Sequence, residues 1–368
     1  MKRTLINIAI LSTILGTGMA QAGGWDRSGQ DTSIILKDGN LLEVTSVSVA
    51  PKVTGVYAAL AGGKATGDVA PDYTFTTMAF RANVNDDVSI ALIQDEPFGA
   101  GVDWSVGTVG AYLGVNAQVE SSATTLLVGY DVGNITVYGG LKNQTFSAGA
   151  ELDLPVPSGG TVPYTITSTP DTSIGYVVGA AIERPEIALR VALTYHTKVS
   201  HDVSVVESIG GSPYPGSVLS ADTPSSFNLD FQTGVAENTL LFGSVRSVQW
   251  TQTELSPAVF SSAGVANRPL KKFTSDTITY NLGLGRKFSE QWSGAVTYGT
   301  EAAEGTLAGP LGPTDGYSKM GVGVTYSTEQ ADITLGMQKI TNGDTEMEYA
   351  SMTGNTTLVT AVKVGYKF

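Results

Sequence analysis

Three features that the sequence lacks exclude several classes of protein. None of its 368 residues is cysteine, so no disulfide can hold the fold together. Its formal net charge is −13, and the lack of a basic excess argues against nucleic acid as a partner. No segment offers the roughly 18 uninterrupted apolar residues of a transmembrane helix. With 42% hydrophobic and only 15% charged residues, however, the composition is too apolar for a disordered protein.

The first residues have the features of a secretory signal peptide. Lys2 and Arg3 precede a short apolar run over 5–15, and an Ala-Gln-Ala site ends at Ala22, so we expect cleavage there and export of the rest. A large exported chain without disulfides must rely on hydrogen bonding and packing. A closed β-barrel provides both, because none of its strands has an unpaired edge.

Alternation of apolar and polar residues indicates fourteen strands, because successive side chains of a strand point to opposite faces. In the last segment Tyr366 and Phe368 share a parity with large aliphatic residues, while the alternate residues are small or lysine. The predicted strands are 41–54, 73–84, 88–95, 121–131, 134–149, 173–183, 186–199, 225–235, 238–254, 275–288, 291–300, 316–327, 331–341 and 357–368.

The connections between these segments alternate strictly in length. Short turns such as 85–87, 132–133 and 289–290 occupy every second junction, and the other junctions, including 150–172 and 200–224, are long and polar. Short periplasmic turns and long extracellular loops give this order in outer-membrane barrels, whereas a soluble sandwich has water at both ends. We therefore predict an all-β fold, a 14-stranded antiparallel transmembrane barrel.

The closing strand also indicates where the barrel resides and how it is assembled. Tyr366 and Phe368 would be recognised by the barrel-assembly machinery and would join the periplasmic aromatic girdle. We expect a monomer in the outer membrane of a Gram-negative bacterium, in contact with membrane lipid and lipopolysaccharide.

One segment remains between the signal peptide (1–22) and the barrel (41–368). Residues 23–40 are too short for an independent domain, so they form either a frayed tail or a plug inside the barrel. Ile34, Ile35 and Leu36 would give such a plug an apolar anchor. We therefore predict an N-terminal plug.

The inward parities are dominated by small residues with scattered charges, unlike the charged constriction of a general porin. The ninth strand is apolar on both parities, so some of its large side chains must point inward, where they either pack around a plug or contact an apolar ligand. Arg81 and Arg190 could meet a ligand carboxylate. The candidate apolar contacts are Leu241, Phe242, Val245 and Trp250.

A series of short motifs runs in order along the chain after residue 23. They are Gly24–Gln30, Gly39–Glu43, Val49–Gly55, Thr223–Ser226, Phe231–Ala236, Asn281–Phe288, Gly312–Tyr317 and Val364–Phe368. Together they resemble the FadL-type family of outer-membrane transporters for long-chain fatty acids and other hydrophobic compounds. The resemblance implies a plugged fourteen-stranded barrel whose hatch contains Asp26, Arg27, Ser28 and Gly29. The hatch lacks an Asn-Pro-Ala tripeptide, which indicates a divergent branch.

The third predicted strand carries residues that disturb pairing. Pro97 has no amide hydrogen to donate, and Gly99 and Gly101 loosen the backbone. The strand either ends at Pro97 or is kinked there. The resemblance implies the second case, in which the substrate leaves sideways through a gap at the kink.

The function expected from these features is passive transport rather than catalysis. His196 and His201 are the only histidines, and Ser200 lies about 13 Å from His196 along an extended strand, so we predict no enzyme, cofactor or metal site. The expected cargo is a hydrophobic compound, most simply a long-chain fatty acid, released laterally into the membrane. The alternative is a nonspecific porin for small polar solutes.

Overall fold

The computed structural model describes residues 25–106, 112, 114–155, 160–305 and 309–368. The signal peptide predicted over 1–22 lies outside the described residues. Fourteen strands form a closed antiparallel barrel, as the sequence predicted. No helix among the described residues is long and apolar enough to cross a membrane.

The barrel strands β1–β14 follow each other around the ring in chain order. Each pairs with the next, and β14 pairs with β1 from Lys367↔Leu41 to Thr356↔Lys52, which closes the barrel. Every predicted segment corresponds to one strand. Their bounds are Leu41–Lys52, Tyr73–Asn83, Val88–Asp95 continued by Gly99–Asp103, Asn116–Val132, Ile135–Pro155, Asp171–Arg184, Leu189–His196, Ser226–Ala236, Thr239–Val248, Thr277–Lys287, Trp292–Glu301, Tyr317–Ser327, Ala331–Asn342 and Thr356–Lys367.

Shorter elements extend the barrel on the side of the long connections. The segments predicted as loops over 150–172 and 200–224 are largely strands, which corrects that expectation. Their outer faces are mostly polar, and inward residues such as Val203 and Leu219 are buried. Strands Thr161–Ser168, Val199–Ile209, Ser212–Thr223, Glu254–Pro257 and Lys271–Lys272 join the main sheet, and Gly55–Tyr57, Thr345–Glu346 and Ala350–Met352 form a second sheet. The 3-10 turns are Ser33–Leu36, Ala59–Ala61, Trp104–Val106, Pro185–Ile187 and Trp250–Gln252.

A belt of large apolar side chains surrounds the barrel on its outer face. Leu282, Met320 and Val322 are at least half-exposed. The residues that alternate with them along their strands are small or polar. On β5 the outward residues are apolar only as far as Leu141, and beyond it they are polar. Aromatic side chains lie at the end with the short turns, among them Phe288, Trp292, Tyr366 and Phe368. This is the outer surface of a barrel that faces lipid.

Residues 25–40, which we call the plug, run inside the barrel. The 3-10 turn buries Ile34, Ile35 and Leu36 against inward side chains of several strands, because a period of about three places apolar neighbours around the turn. Gly29 and Gln30 both adopt positive φ, 67° and 54°, and fold the segment back on itself. The plug therefore occupies part of the lumen.

Candidate functional site

β3 is interrupted at residues 96–98, which we call the β3 break. Before it, the register with β2 runs from Asn83↔Ser89 to Met78↔Gln94 and stops. After it, β3 resumes at Gly99 in register with β4. The wall therefore has a gap between the first residues of β2 and the β3 break. Pro97 lies inside an interrupted strand and not at the end of one.

The start of the plug pairs with the β3 break. The amide of Gly99 donates to the Trp25 carbonyl at 2.7 Å, and the amide of Arg27 donates to the Pro97 carbonyl at 3.0 Å. Between these bonds Asp26 and Phe98 form an antiparallel bridge. The plug thus satisfies backbone groups that the interruption of the sheet would leave without partners.

Arg27 fills the gap itself. Its Nη1 lies 3.2 Å from Glu96 Oε2, and its guanidinium carbon lies 4.5 Å from the centre of the Tyr73 ring. A Cβ on residue 99 would overlap the Arg27 guanidinium, so the glycine at this position makes room for it. Gly99 therefore has a packing role in addition to loosening the backbone.

A buried ion pair ties the plug to the opposite wall. Arg246 of β9 donates from Nε to Asp26 Oδ2 at 2.6 Å and from Nη2 to Asp26 Oδ1 at 3.0 Å. It also donates to Asn228 Oδ1 at 2.6 Å, Ser226 Oγ at 3.1 Å and Gln30 Oε1 at 3.1 Å. Bidentate arginine–carboxylate pairs are strong and fix geometry. Asp26 is therefore bound to both sides of the barrel.

A cluster of packed apolar side chains lies beyond the plug, toward the long connections, with a cavity beside it; together we call them the apolar chamber. Its aromatic floor consists of Trp25, whose ring centre is 5.1 Å from Phe273 and 6.4 Å from Trp250, and of Phe98, 5.6 Å from Trp250. The walls come from Val119, Phe146, Ala148, Ile166 and Leu219. The cavity has a volume of about 960 Å³ and is lined in part by Trp25, Tyr73, Leu270 and Phe273. Cavities of this size hold small-molecule ligands.

Basic side chains line the same cavity. Lys271 Nζ lies 4.7 Å from the Phe273 ring centre, and the Arg268 guanidinium lies 5.7 Å from that of Phe260. Burial lowers the pKa of Lys271, although the charge of Glu304 opposes this. A cation beside an apolar wall is the arrangement that an amphipathic anion requires.

A smaller, polar cavity lies on the other side of the plug, toward the short turns. Its volume is about 100 Å³, and its lining includes Asp31, Arg190, Asp230 and Asn281 beside Phe242. Most of its lining residues carry polar groups, although Leu36, Phe231 and Phe242 give it apolar surface as well.

The residues predicted to contact ligand lie in four different surroundings. Arg190 and Phe242 line the polar cavity, and Arg190 Nε pairs with Glu183 Oε1 at 2.5 Å. Arg81 donates to the plug carbonyls of Ile35 at 3.3 Å and Gly39 at 2.5 Å, so its guanidinium is used to hold the plug.

The remaining predicted contacts divide between the chamber and the outer wall. Trp250 lies in the floor of the apolar chamber. Leu241 and Val245 lie opposite the exposed Leu284 and Tyr280 on the outer face, which corrects the prediction that they meet a ligand in the lumen. Arg246 was not predicted as a luminal residue. Its even spacing from Phe242 on the same strand could have shown that both side chains face the lumen.

The two histidines occupy separate buried places. His196 is enclosed beside the plug, and His201 Nδ1 lies 3.0 Å from Asp171 Oδ2 with its ring stacked on Phe146 at 5.5 Å. Burial lowers the pKa of His201 against the opposing effect of Asp171. Within the described part of the chain, no group of three or more His, Cys, Asp or Glu residues could hold a metal ion.

No family model and no curated protein matches this chain. Several solved structures do match it in fold. The crystal structure of a Pseudomonas aeruginosa FadL homologue has a TM-score of 0.78 at 14% identity and covers 97% of this chain and 98% of its own. A deltaS2S3 mutant of the monoaromatic hydrocarbon channel TodX gives 0.72 at 12% identity, with 97% and 98% covered. The Pseudomonas putida toluene transporter TodX gives 0.65 at 12% identity, with 90% and 91% covered. The chain therefore has the fold of the FadL homologue and of TodX.

Proposed function

We propose that this chain is a passive, FadL-type channel of the outer membrane that takes up hydrophobic compounds, with long-chain fatty acids as the first candidates. The compound enters the apolar chamber and leaves sideways into the membrane through the gap at the β3 break. The observation that carries the proposal is this gap, held closed by Arg27 and by the backbone of the plug. The fold shared with a FadL homologue and a toluene transporter supports it.

The small size of the cavity on the other side of the plug favours the lateral route. At about 100 Å³ it lies below the range of about 300–1,000 Å³ for ligand cavities, so a long alkyl chain does not fit beside Asp31, Arg190 and Asp230. Passage through the gap leads instead from the chamber to lipid. No chemical step and no energy source are part of this route.

The basic residues that line the large cavity suit an acidic substrate. Lys271 and Arg268 would attract a carboxylate while the alkyl chain enters the adjoining cavity. Tyr366 and Phe368 remain the proposed assembly signal, and Phe368 stacks on Phe80 at 6.1 Å between ring centres.

The absence of cysteine allows a clean test of the gap. Asp26 and Phe98 form a non-hydrogen-bonded antiparallel pair, whose Cα atoms lie about 4.5 Å apart, close enough for a disulfide. We expect the double variant Asp26→Cys/Phe98→Cys to lose oleate uptake when oxidised and to regain it on reduction. The two single variants are the controls.

Two results would contradict the proposal. Equal uptake by the oxidised and reduced double variant would mean that the plug need not leave the β3 break. A steady ionic conductance in planar bilayers, unchanged by the disulfide, would favour the nonspecific porin instead.

A further inference from the structure

The apolar belt on the outer face of the barrel is lower at the gap than elsewhere. Its height on each strand can be counted from the strand end at the short turns to the last large apolar side chain that points outward. This side chain lies six to ten positions from that end in β4 to β14, but only three to five positions in β1, β2 and β3. It is Val44 in β1, Met78 in β2 and Leu92 in β3. The gap lies between two of these three strands.

Six polar residues take the place of the missing apolar ones. They form pairs of direct neighbours on adjacent strands, and all of them point outward and are exposed. We call them the polar patch, which consists of Ser46 beside Thr76, Ser48 beside Thr74, and Gln94 beside Thr124.

The polar patch borders the gap on its outer side. Pairing between β2 and β3 ends at Met78, so Thr76 and Thr74 lie on the part of β2 that faces the gap. The neighbouring Tyr73 points into the lumen, where the Arg27 guanidinium carbon lies 4.5 Å from its ring centre. The gap therefore has a guanidinium on its inner side and hydroxyl groups on its outer side.

The polar patch lies at the height of the membrane hydrocarbon. Ser46 is five positions and Thr74 nine positions from the short-turn ends of their strands, and the β3 break lies at a similar height. At about 3.3 Å per residue and a tilt of about 40°, the patch extends from roughly 13 Å to roughly 23 Å above those ends, whereas the apolar band of such barrels is about 25 Å tall. On the opposite wall, Ile278 of β10 is also nine positions from its strand end, and it is apolar and exposed.

The membrane has to adapt to this difference between the two sides of the barrel. Hydroxyl and amide groups are strongly disfavoured in hydrocarbon, and a bilayer responds to a short apolar segment by becoming thinner beside it. Tilting of the whole barrel would instead carry the short turns of β1 and β2 out of the membrane. The stacked rings of Phe80 and Phe368 lie at these turns, where aromatic side chains anchor the lower edge of the belt.

We infer that the polar patch binds the head groups and water of the outer leaflet and keeps the surface of that leaflet at the level of the gap. This inference rests on the proposed transport function and extends it from the barrel to the membrane beside it. The partner of the patch is the head-group layer, whose phosphate oxygens accept hydrogen bonds from the serine and threonine hydroxyls.

The lowered surface eases the departure of an amphipathic molecule. Its polar end would otherwise have to cross hydrocarbon between the gap and the nearest head groups, which is unfavourable. Where the head-group layer reaches the gap, the polar end passes directly from the barrel to the head groups while the alkyl chain enters the lipid. A neutral hydrocarbon has no polar end, so its departure does not depend on the patch.

Nitroxide labels can measure the depth of the patch, because the chain has no cysteine of its own. The full chain carrying Thr74→Cys or Ile278→Cys is labelled in phosphatidylcholine vesicles, and collisions with oxygen, which concentrates in hydrocarbon, are compared with collisions with a water-soluble nickel chelate. We expect the nickel chelate to dominate at residue 74 and oxygen to dominate at residue 278, although both positions are equally far from their strand ends.

Three leucines should raise the belt at the gap. In the background Ser46→Leu/Thr76→Leu/Thr124→Leu, the label at residue 74 should change from nickel-accessible to oxygen-accessible. Ser247→Leu is the matched control, because it adds the same side chain on the opposite wall between Phe227 and Ile278 and should leave the label at residue 74 unchanged.

Release into the vesicle lipid gives a functional measurement. We expect oleate release to be about five- to tenfold slower in the triple variant than in the wild-type chain, and 1-octadecene release, which involves no polar end, to be equal in both. Ser247→Leu should change neither rate. Thermal unfolding checks that each variant has a folded barrel. If the triple variant does not fold, the labels at residues 74 and 278 of the otherwise wild-type chain still decide.

The outcomes separate this inference from the transport function. Equal collision ratios at residues 74 and 278 would overturn the inference while transport stood, and exclusion of both reagents from residue 74 would overturn it in favour of a second copy covering the patch. Nickel access to a label at Val44→Cys, near the short-turn end of β1, would mean that the barrel tilts instead. Unchanged oleate release in the triple variant would refute the role of the patch in release. If the wild-type chain releases neither probe, the proposed function fails, and the depth measurement still decides whether the surface is lowered.

Discussion

Replacing Arg246 by methionine should loosen the plug and leave the barrel intact. The side chains of Arg246 and Asp26 are 5% and 12% exposed, so the substitution leaves a carboxylate buried without its cation. Breaking a buried ion pair in this way destabilises by about 3–5 kcal/mol. A free-energy difference of about 1.4 kcal/mol changes an equilibrium constant tenfold. The population of the detached plug should therefore rise by roughly two to three orders of magnitude. The strands keep their own ladder, so the effect should be local.

Hydrogen exchange measured by mass spectrometry can follow the two regions separately. Amides of residues 25–36 should exchange much faster in Arg246→Met than in the wild-type chain, while those of 317–342, in β12 and β13, should not change. Adding Asp26→Asn should restore about 2 kcal/mol of the stability of plug closure, because the buried carboxylate that lost its cation is then replaced by a neutral amide. If the amides of residues 25–36 exchange in Arg246→Met at the wild-type rate, the reasoning is refuted. Equal exchange rates in the single and the double variant would refute it as well.

Three further substitutions test other parts of the structure. Gly99→Ala should displace the Arg27 guanidinium, weaken plug closure by about 1 kcal/mol and raise oleate uptake roughly fivefold; unchanged uptake would contradict the packing role of Gly99. Because burial lowers the pKa of Lys271, its ammonium loses its proton as pH rises through a value below 10.5, so oleate capture should fall there. Lys271→Arg, which stays charged, should show no such fall, and an identical fall would exclude Lys271. Leu241→Arg should lower barrel stability by up to about 2–4 kcal/mol with unchanged oleate affinity, whereas altered affinity would argue against its outward position.

The strands and their inner and outer faces were predictable because alternation is a local property. Large aliphatic residues recur at every second position wherever a strand crosses the apolar belt, as Met320, Val322 and Val324 do in β12. The segment 199–223 was misread as a loop because it lies beyond this belt. Most of its outward residues are polar, such as Ser200, Asp202 and Ser220, and the alternation with apolar inward residues such as Val203 and Val205 is correspondingly weak.

The site was harder to predict because its contacts are distant in sequence. Asp26 and Arg246 are separated by 220 positions, and no local pattern relates them. Arg246 also lies in a strand that is apolar on both parities, which drew the prediction toward Leu241 and Val245. The position of the β3 break could be inferred because Pro97 removes a hydrogen-bond donor wherever it stands. That Arg27 fills the gap could not be inferred from the sequence.

The length of β5 determines how far the entrance stands from the cell surface. Its outward residues are apolar only to Leu141, and the strand continues to Pro155. At about 3.3 Å per residue and a tilt of about 40°, these last residues rise roughly 35 Å above the lipid. The end of β5 therefore stands well above the apolar belt of the barrel. Under the proposed function, a hydrophobic molecule that enters at this height travels toward the membrane inside a protein wall and is shielded from the polar surroundings of the outer surface.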